Sequence, residues 1–257
     1  MNVELVLAPN PGLMTGPGTN TWVVSSRGEA LVVDPGPVIE THLDAVATAL
    51  SGLEVVAVVV THTHPDHAPA ANPLAQRLGV PAIGPADGAD FRPDRHIADG
   101  EHVEFGGIRL VAVATPGHTA DSTSYRVHDA LFTGDHIMGG STVMVEDMKD
   151  YLESLQAVHR TGLRVIYPGH GPIIDDPDRV IDEYITHRLE REAQILAAVR
   201  SGAGTVGEVV EQVYAAIDPA LNAPASISVD AHLRKLAADG FVSYAGGGWS
   251  GRVVAVS

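Results

Sequence analysis

A continuous run of small and β-branched apolar residues, Val55–Val60, leads directly into a dense cluster of side chains that can bind metal ions. Such a run is typical of a strand that is buried on both faces of a sheet. The cluster is the segment His62-Thr63-His64-Pro65-Asp66-His67, in which four of six residues are potential ligands. Because unpaired charge beside a buried strand is costly, the cluster indicates a metal site at the end of that strand.

The spacing divides these ligands into two pairs. His62 and His64 are two residues apart, so an extended chain places both on one side. Asp66 and His67 lie beyond Pro65, which favours a turn. One ion could therefore bind the first pair and a second ion the other pair. Neither pair fills the four-coordinate shell of zinc, so other segments must contribute.

Three later segments have the composition to do so. Each follows a predicted strand and sets a glycine beside a ligand-type residue; they are Thr115-Pro116-Gly117-His118, Thr133-Gly134-Asp135-His136 and Pro168-Gly169-His170-Gly171. Ligands on the ends of several strands can meet at one edge of the sheets. The chain has no Cys, so all ligands must be nitrogen or oxygen atoms. We therefore expect Zn²⁺, two ions per chain, although iron or manganese would suit a similar set.

The pattern along the chain predicts two domains, a catalytic domain over residues 1–175 and a second domain over residues 176–257. The first has helical spacing at Leu43–Leu50 and at Met148–Val158, with Asp147 as N-cap. The remaining segments of this domain read as strands, namely Val3–Leu7, Thr21–Ser25, Ala30–Asp34, Val55–Val60, Ile108–Ala114, Ser124–Val127, Ala130–Thr133 and Arg164–Tyr167.

The second domain reads as helices followed by a hairpin. Asp176-Pro177 begins a long helix, and a capping box at Thr205–Glu208 begins another that runs to about Ala216. Ser228 is the predicted cap of a third helix, which Gly240 ends. The predicted hairpin consists of Phe241–Tyr244 and Arg252–Val256. This order is typical of a winged helix.

The charge of the chain bears on its partners. It has 16 Lys and Arg against 32 Asp and Glu, a formal net charge of −16. Residues 204–257 carry five acidic and three basic side chains, which is not the basic surface of a nucleic-acid reader. We therefore expect no strong binding of double-stranded nucleic acid. No apolar run reaches the roughly 18 residues of a bilayer span, and no signal peptide is evident, so we expect no membrane partner and a cytoplasmic location.

These motifs resemble those of the metallo-β-lactamase superfamily, in its glyoxalase II and ribonuclease-like branch. The resemblance implies an α+β fold, the four-layer αβ/βα metallo-β-lactamase sandwich, with a two-metal site. The implied ligands are His62, His64 and His118 for the first ion, Asp66, His67 and His170 for the second, and Asp135 as the bridge between them.

The chain is also similar to the LACTB2-like subfamily over nearly its whole length. The similarity is carried by Gly18-Thr19-Asn20-Thr21-Trp22, by Asp150–Leu155, by Tyr184–Arg188 and by His232-Leu233-Arg234-Lys235-Leu236. It implies a small winged-helix-like domain at the C-terminal end.

The predicted activity is metal-dependent hydrolysis. Hydroxide held between two ions would attack an ester, a thioester or a phosphodiester, and Asp66 would orient it. Members of the subfamily cleave single-stranded RNA, so a short RNA is one candidate substrate; the acidic charge makes a small-molecule thioester or lactone the rival. Persulfide dioxygenases resemble the superfamily and use iron, which leaves an oxidative function open. A regulatory module with structural zinc is a further alternative, but seven ligands shared by two ions leave open positions, which favours catalysis.

A few other residues have weaker signals. His187 and Arg188 on the long helix are candidate contacts for an anionic group of the substrate, and a solvated helix face is the alternative. Asn20 and Thr21 could support the metal-binding loops or form a turn.

Overall fold

A computed structural model of the chain describes residues 1–140 and 142–256. By their internal contacts, the described residues divide into two compact units. The first unit consists of Met1–Thr115, Asp121–Thr142 and Arg160–Pro177, and the second of Pro116–Ala120, Val143–His159 and Asp178–Ser257.

The first unit contains two mixed β-sheets. The first sheet has its described strands side by side in chain order, namely β1 (Asn2–Leu7), β2 (Asn20–Ser26), β3 (Glu29–Val33), β4 (Glu54–Val59), β5 (Ala82–Gly84) and β6 (Arg95–His96). Its first three strands are antiparallel neighbours, and β3 to β6 are parallel. The second sheet comprises β7 (His102–Phe105), β8 (Ile108–Ala114), β9 (Thr123–Val127), β10 (Ala130–Gly134) and β11 (Val165–Pro168), in the order β11-β10-β9-β8-β7. Here β10 and β11 are parallel and the other neighbours are antiparallel.

An apolar core joins the two sheets face to face. Trp22 and Val59 of the first sheet and Tyr125 and Phe132 of the second belong to one buried cluster. The opposite face of the first sheet packs against α1 (Glu40–Ala49) and α2 (Ala71–Leu78). A strand such as β4 is therefore covered on both sides, which explains its uninterrupted apolar sequence.

The predicted strands of the first unit are confirmed, with their ends shifted by at most one residue. The strands β5, β6 and β7 were not predicted, because runs of two to four residues show no periodicity. The helix α2 was also missed, because Asn72-Pro73 resembles a turn signal. Pro73 instead lies in the first turn of the helix, where its missing N–H has no intrahelical partner to lose.

The second unit is mainly helical. Its elements are α3 (Met148–Val158), α4 (Pro177–Arg200, of which Pro177 belongs to the first unit), α5 (Val206–Val213), α6 (Asn222–Ala238) and the antiparallel pair β12 (Val242–Ala245) and β13 (Arg252–Ala255). Two of the predicted caps are confirmed. The Asp147 side chain accepts from the backbone N–H of Asp150, and Thr205 and Glu208 form a reciprocal capping box.

One cap prediction is wrong. Ser228 does not begin the last helix but lies buried inside α6, which begins at Asn222. Pro224 lies in the first turn of this helix, a position that tolerates proline. Within the described part of the chain, none of the helices is both long and apolar enough to cross a bilayer.

Candidate metal centre

The candidate ligands of the first unit lie just beyond the ends of its strands. The segment His62–His67 follows β4, while His170 follows β11 and Asp135 follows β10. Asp34, predicted as the last residue of a strand, lies just beyond β3. Strands of both sheets thus place polar side chains at one edge of the sandwich.

Four of these side chains form a compact set, which we call the second ligand group: Asp66, His67, Asp135 and His170. One potential ligand atom from each lies within 4.8 Å of the others. The Nε2 atoms of His67 and His170 are 3.2 Å apart. Asp66 Oδ2 lies 3.1 Å from Nε2 of His170, and Asp135 Oδ1 lies 3.3 Å from Nε2 of His67.

The outer nitrogens of both rings are already engaged. His67 Nδ1 donates to Asp34 Oδ2 at 2.9 Å, and His170 Nδ1 donates to the carbonyl of Gly18 at 3.0 Å. Both partners are acceptors, so each ring carries a hydrogen on Nδ1 and, when neutral, a lone pair on Nε2. Two such lone pairs facing each other between two carboxylates favour a positive charge between them. Imidazole and carboxylate ligands of this kind suit zinc and similar divalent ions.

The electrostatics of this group agree with a site for positive charge. Burial opposes a charged imidazole, but the carboxylates of Asp135 and Asp34 outweigh it and hold the pKa of His67 well above its usual value. For His170, burial is likewise outweighed by the hydrogen bond of Asp66, which raises the pKa of the imidazole. Burial would raise the pKa of Asp66, but the hydrogen bond from His170 and the charge of His67 lower it. The positive charge can be a proton or a metal ion.

A first ligand group lies beside the second. His62, His64 and Asp135 also offer ligand atoms within 4.8 Å of one another, and Nε2 of His62 is 3.0 Å from Nδ1 of His64. Asp135 is thus a member of both groups. The arrangement can hold two cations that share one carboxylate.

Asp34 and Thr61, which no motif of the sequence singles out, support these ligands. Thr61 Oγ1 donates to Asp34 Oδ2 at 2.7 Å, and the backbone N–H of Thr61 donates to Oδ1 at 2.7 Å. The only hydroxyl hydrogen of Thr61 is therefore used, so Nδ1 of His62, 3.0 Å away, must be the donor to Oγ1. Outer hydrogen bonds of this kind fix the tautomer and orientation of metal-binding histidines. The signal available in the sequence was an acidic residue at a strand end, as at Asp135.

Of the two roles considered for Asn20 and Thr21, their contacts favour support of the loops that follow the strands. Asn20 Nδ2 donates to the carbonyls of Pro168 and Gly171, on either side of His170. Thr21 Oγ1 donates to the carbonyl of Asp34 at 2.7 Å.

The other predicted site residues lie in the second unit. His118 is buried, and its Nδ1 donates to the carbonyl of Met144 at 2.7 Å, which leaves Nε2 as the potential ligand atom. Arg188 is also buried, donates to the carbonyl of Val143 and lies over the ring of Tyr151. His187 lies on the same helix, partly exposed. The roles of His118 as a ligand and of His187 and Arg188 as substrate contacts stay predictions.

The chain is similar to known proteins in its sequence and in its fold. The model of the metallo-beta-lactamase superfamily matches residues 14–170, and that of the beta-lactamase associated winged helix domain matches residues 205–249. A beta-lactamase-like protein 2 homolog of Caenorhabditis elegans is 34% identical over 93% of this chain and 85% of its own length. An atrochrysone carboxyl ACP thioesterase of Aspergillus chevalieri is 33% identical over 84% of this chain and 74% of its own. The crystal structure of a metallo-beta-lactamase family protein of Thermus thermophilus has the same fold, with a TM-score of 0.82 at 21% identity over 99% of this chain and 98% of its own.

Proposed function

The chain belongs to the metallo-β-lactamase superfamily and is a hydrolase of that fold, and we propose that it cleaves a small-molecule thioester or ester with the help of two divalent ions, expected to be Zn²⁺. The superfamily sandwich is followed by the associated winged helix domain. The His and Asp groups of the first unit are positioned to bind metal ions.

One observation carries the metal dependence. The Nε2 atoms of His67 and His170 face each other at 3.2 Å, while both Nδ1 atoms donate outward. Neutral rings in this state can only accept, and the neighbouring carboxylates of Asp66 and Asp135 can only accept as well when ionised. The convergence of these imidazole nitrogens and carboxylate oxygens within 4.8 Å of one another supports a cation bound between them.

Bound divalent ions would polarise the scissile carbonyl and make a water molecule acidic enough to ionise near neutral pH. The protein's own part is to hold the ligands and orient that water. We assign His62, His64 and Asp135 to the first ion, with His118 as a further ligand carried over from the resemblance. Asp66, whose Oδ2 lies 3.1 Å from Nε2 of His170, would bind the second ion together with His67 and His170, and it would accept a hydrogen of the attacking water and so fix its direction.

The choice of substrate class follows from charge. A net charge of −16 opposes a long polyanion such as RNA, because phosphate contacts would have to overcome it. A thioester or lactone needs no phosphate contacts, so the negative charge of the chain does not oppose its binding in this way. A relative at 33% identity is named as a thioesterase, which favours the same class of reaction.

The test is a substrate panel for the purified full chain. Thioesters, lactones and short single-stranded RNA are assayed with zinc, with a chelator, and across a range of salt concentrations. We expect turnover of a thioester or lactone that the chelator abolishes, that zinc restores and that changes little with salt. RNA cleavage that weakens steeply with salt would contradict the substrate class.

The matched variants are Asp135→Asn and Asp218→Asn. Asp135 is the residue shared by both ligand groups, so its variant should lose metal and turnover together. Asp218 caps a 3-10 turn (Pro219–Leu221) in the second unit, so its variant should retain both. Full metal content and turnover in Asp135→Asn would contradict the proposal. Iron in the protein as purified, with oxygen-dependent turnover, would replace hydrolysis by an oxidative function.

A further inference from the structure

Helix α1 buries a histidine at a position where an apolar residue would satisfy packing. His42 is 1% exposed and lies beside Leu43 and Val46 on the buried face of the helix. Burial, only partly offset by the backbone of Pro35, lowers the pKa of His42, so the ring is neutral near pH 7. Burial of a polar ring costs free energy unless hydrogen bonds within the protein compensate for the lost contacts with water. His42 therefore needs a specific hydrogen-bond partner.

That partner is Thr21, at a distance of 2.9 Å between Nε2 of His42 and the hydroxyl oxygen. Thr21 Oγ1 donates its single hydrogen to the carbonyl of Asp34 at 2.7 Å. Towards the imidazole the hydroxyl can therefore only accept, which makes Nε2 of His42 the donor. The imidazole of His42 and the hydroxyl of Thr21 are both buried. Their two hydrogen bonds connect the imidazole to the main-chain carbonyl of Asp34.

Asp34 is a residue whose main chain needs such support. Its φ angle is +51°, in the left-handed region that side chains of L-residues seldom adopt. This conformation directs the carboxylate to Thr61 and to Nδ1 of His67. Conformations of this kind persist only where several contacts impose them. At Asp34 these are the N–H bond to the carbonyl of Val59 on one side and the bond from Thr21 on the other.

We propose that His42 is a positioning residue for the metal centre, acting through Thr21 on the main chain of Asp34 and so on the orientation of His67. It touches neither ligand group and has no part in the chemical step. The inference rests on the proposed function for the identity of the ligand, a divalent cation held by His67.

The experiment measures Zn²⁺ affinity by competition with a chromophoric chelator, together with the free energy of unfolding. His42→Leu keeps an apolar side chain of similar size and removes the donor. We expect zinc at the second ligand group to bind about tenfold more weakly, the lower end of the effect of removing an outer hydrogen-bond partner. His42→Gln retains a donor and should restore most of the affinity. Thr21→Val should reproduce His42→Leu, and the two effects should not add, since they break one chain of bonds.

The control is His232→Leu, which removes an equally buried histidine from the second unit. It should change stability without changing zinc affinity. Zinc affinity of His42→Leu equal to that of the unsubstituted chain, with a loss of stability alone, would overturn the inference and leave His42 a packing residue.

The outcomes separate this inference from the proposed function. A chain that binds zinc but hydrolyses no ester refutes the proposed function, and the affinities still decide the role of His42. For a chain that binds no zinc, the Nδ1 proton of His67 in nuclear magnetic resonance spectra gives the answer. Loss of that slowly exchanging proton in His42→Leu supports the inference, and its retention contradicts it.

Discussion

The hydroxyl of Thr61 connects the supports of the two ligand groups. It donates to Asp34, the same carboxylate that accepts from His67, and it accepts from His62. One carboxylate therefore fixes the tautomer of a ligand in each group, directly for His67 and through the hydroxyl for His62. Loss of the hydroxyl should affect the first group more than the second.

Thr61→Val tests this link. Valine has nearly the same shape, but it leaves Nδ1–H of His62 without its acceptor and removes one donor from Asp34. Leaving a buried polar group unsatisfied costs about 1–3 kcal/mol of the free energy of unfolding. We also expect zinc at the first group to bind roughly 10- to 100-fold more weakly, as is typical for outer-partner variants. Chelator competition and denaturant unfolding measure the two effects.

The control for this change is Thr61→Ser, which keeps the hydroxyl and loses only a methyl group. It should bind zinc nearly as the unsubstituted chain does. Two ions bound with unchanged affinity by Thr61→Val would show that the tautomer of His62 does not depend on the hydroxyl.

At the scale of the elements, the turn after β11 has room for a glycine only. A Cβ atom on Gly169 would lie 2.6 Å from Asp135 Oδ1 and 2.6 Å from Cε1 of His67. We therefore expect Gly169→Ala to displace a ligand and lose zinc. Overpacking of this kind costs about 1–3 kcal/mol. Isothermal titration with zinc measures the loss of binding, and thermal unfolding measures the loss of stability.

Gly204→Ala is the matched substitution. Its Cβ would lie 3.6 Å from Glu208 Oε2, an ordinary contact, and the residue belongs to the second unit. Zinc binding should be unchanged. If both alanine variants bind zinc alike, the close approach at Gly169 does not constrain the metal centre.

The pairing of α4 with α6 within the second unit predicts a dependence of stability on pH. His232 on α6 is buried, and Glu192 on α4 lies 3.5 Å from its Nδ1. Burial lowers the pKa of His232 despite this carboxylate. The unfolded chain therefore takes up a proton near pH 6.5 while the folded chain stays neutral, so the free energy of unfolding falls as the pH drops below 6.5.

His232→Leu should remove this contribution. Denaturant unfolding between pH 5 and 7 should show a smaller loss of stability for His232→Leu than for the unsubstituted chain. The exposed His96 provides the comparison, and His96→Leu should keep the original slope. Equal slopes for all three proteins would mean that His232 takes up its proton as readily in the folded state as in the unfolded one.

The sequence reveals the candidate metal ligands more readily than the residues that support them through hydrogen bonds. The candidate ligands follow apolar strands, and they either cluster within six residues, as in His62–His67, or stand beside a glycine, as His118, Asp135 and His170 do; these are local signals in the sequence. The supports act over long separations, as Asn20 does on the loop around His170 and His42 does through Thr21. Neither contact leaves a periodic pattern. Short strands such as β6 were missed for the same reason, since their partners rather than their own residues define them.

For the whole molecule, the excess of acidic residues would make bound metal ions a source of stability. The net charge is −16, and Asp34, Asp66 and Asp135 lie close together around the buried histidines. Two divalent ions would offset four of these negative charges where they are least screened by water. Ions that bind the folded chain and not the unfolded chain raise the free energy of unfolding.

Removal of metal should therefore lower the temperature of unfolding. At a free zinc concentration of 100 times Kd, one site contributes about 2.7 kcal/mol, which corresponds to a shift of several degrees for a chain of this size. Scanning calorimetry of the full chain with zinc and with a chelator measures the shift. His170→Ala removes one ligand of the second group and should reduce the shift, while His96→Ala, at an exposed position, should leave it unchanged. The same unfolding temperature with zinc and with chelator would mean that the acceptors around His67 obtain their positive charge from protons and that the chain has no metal centre.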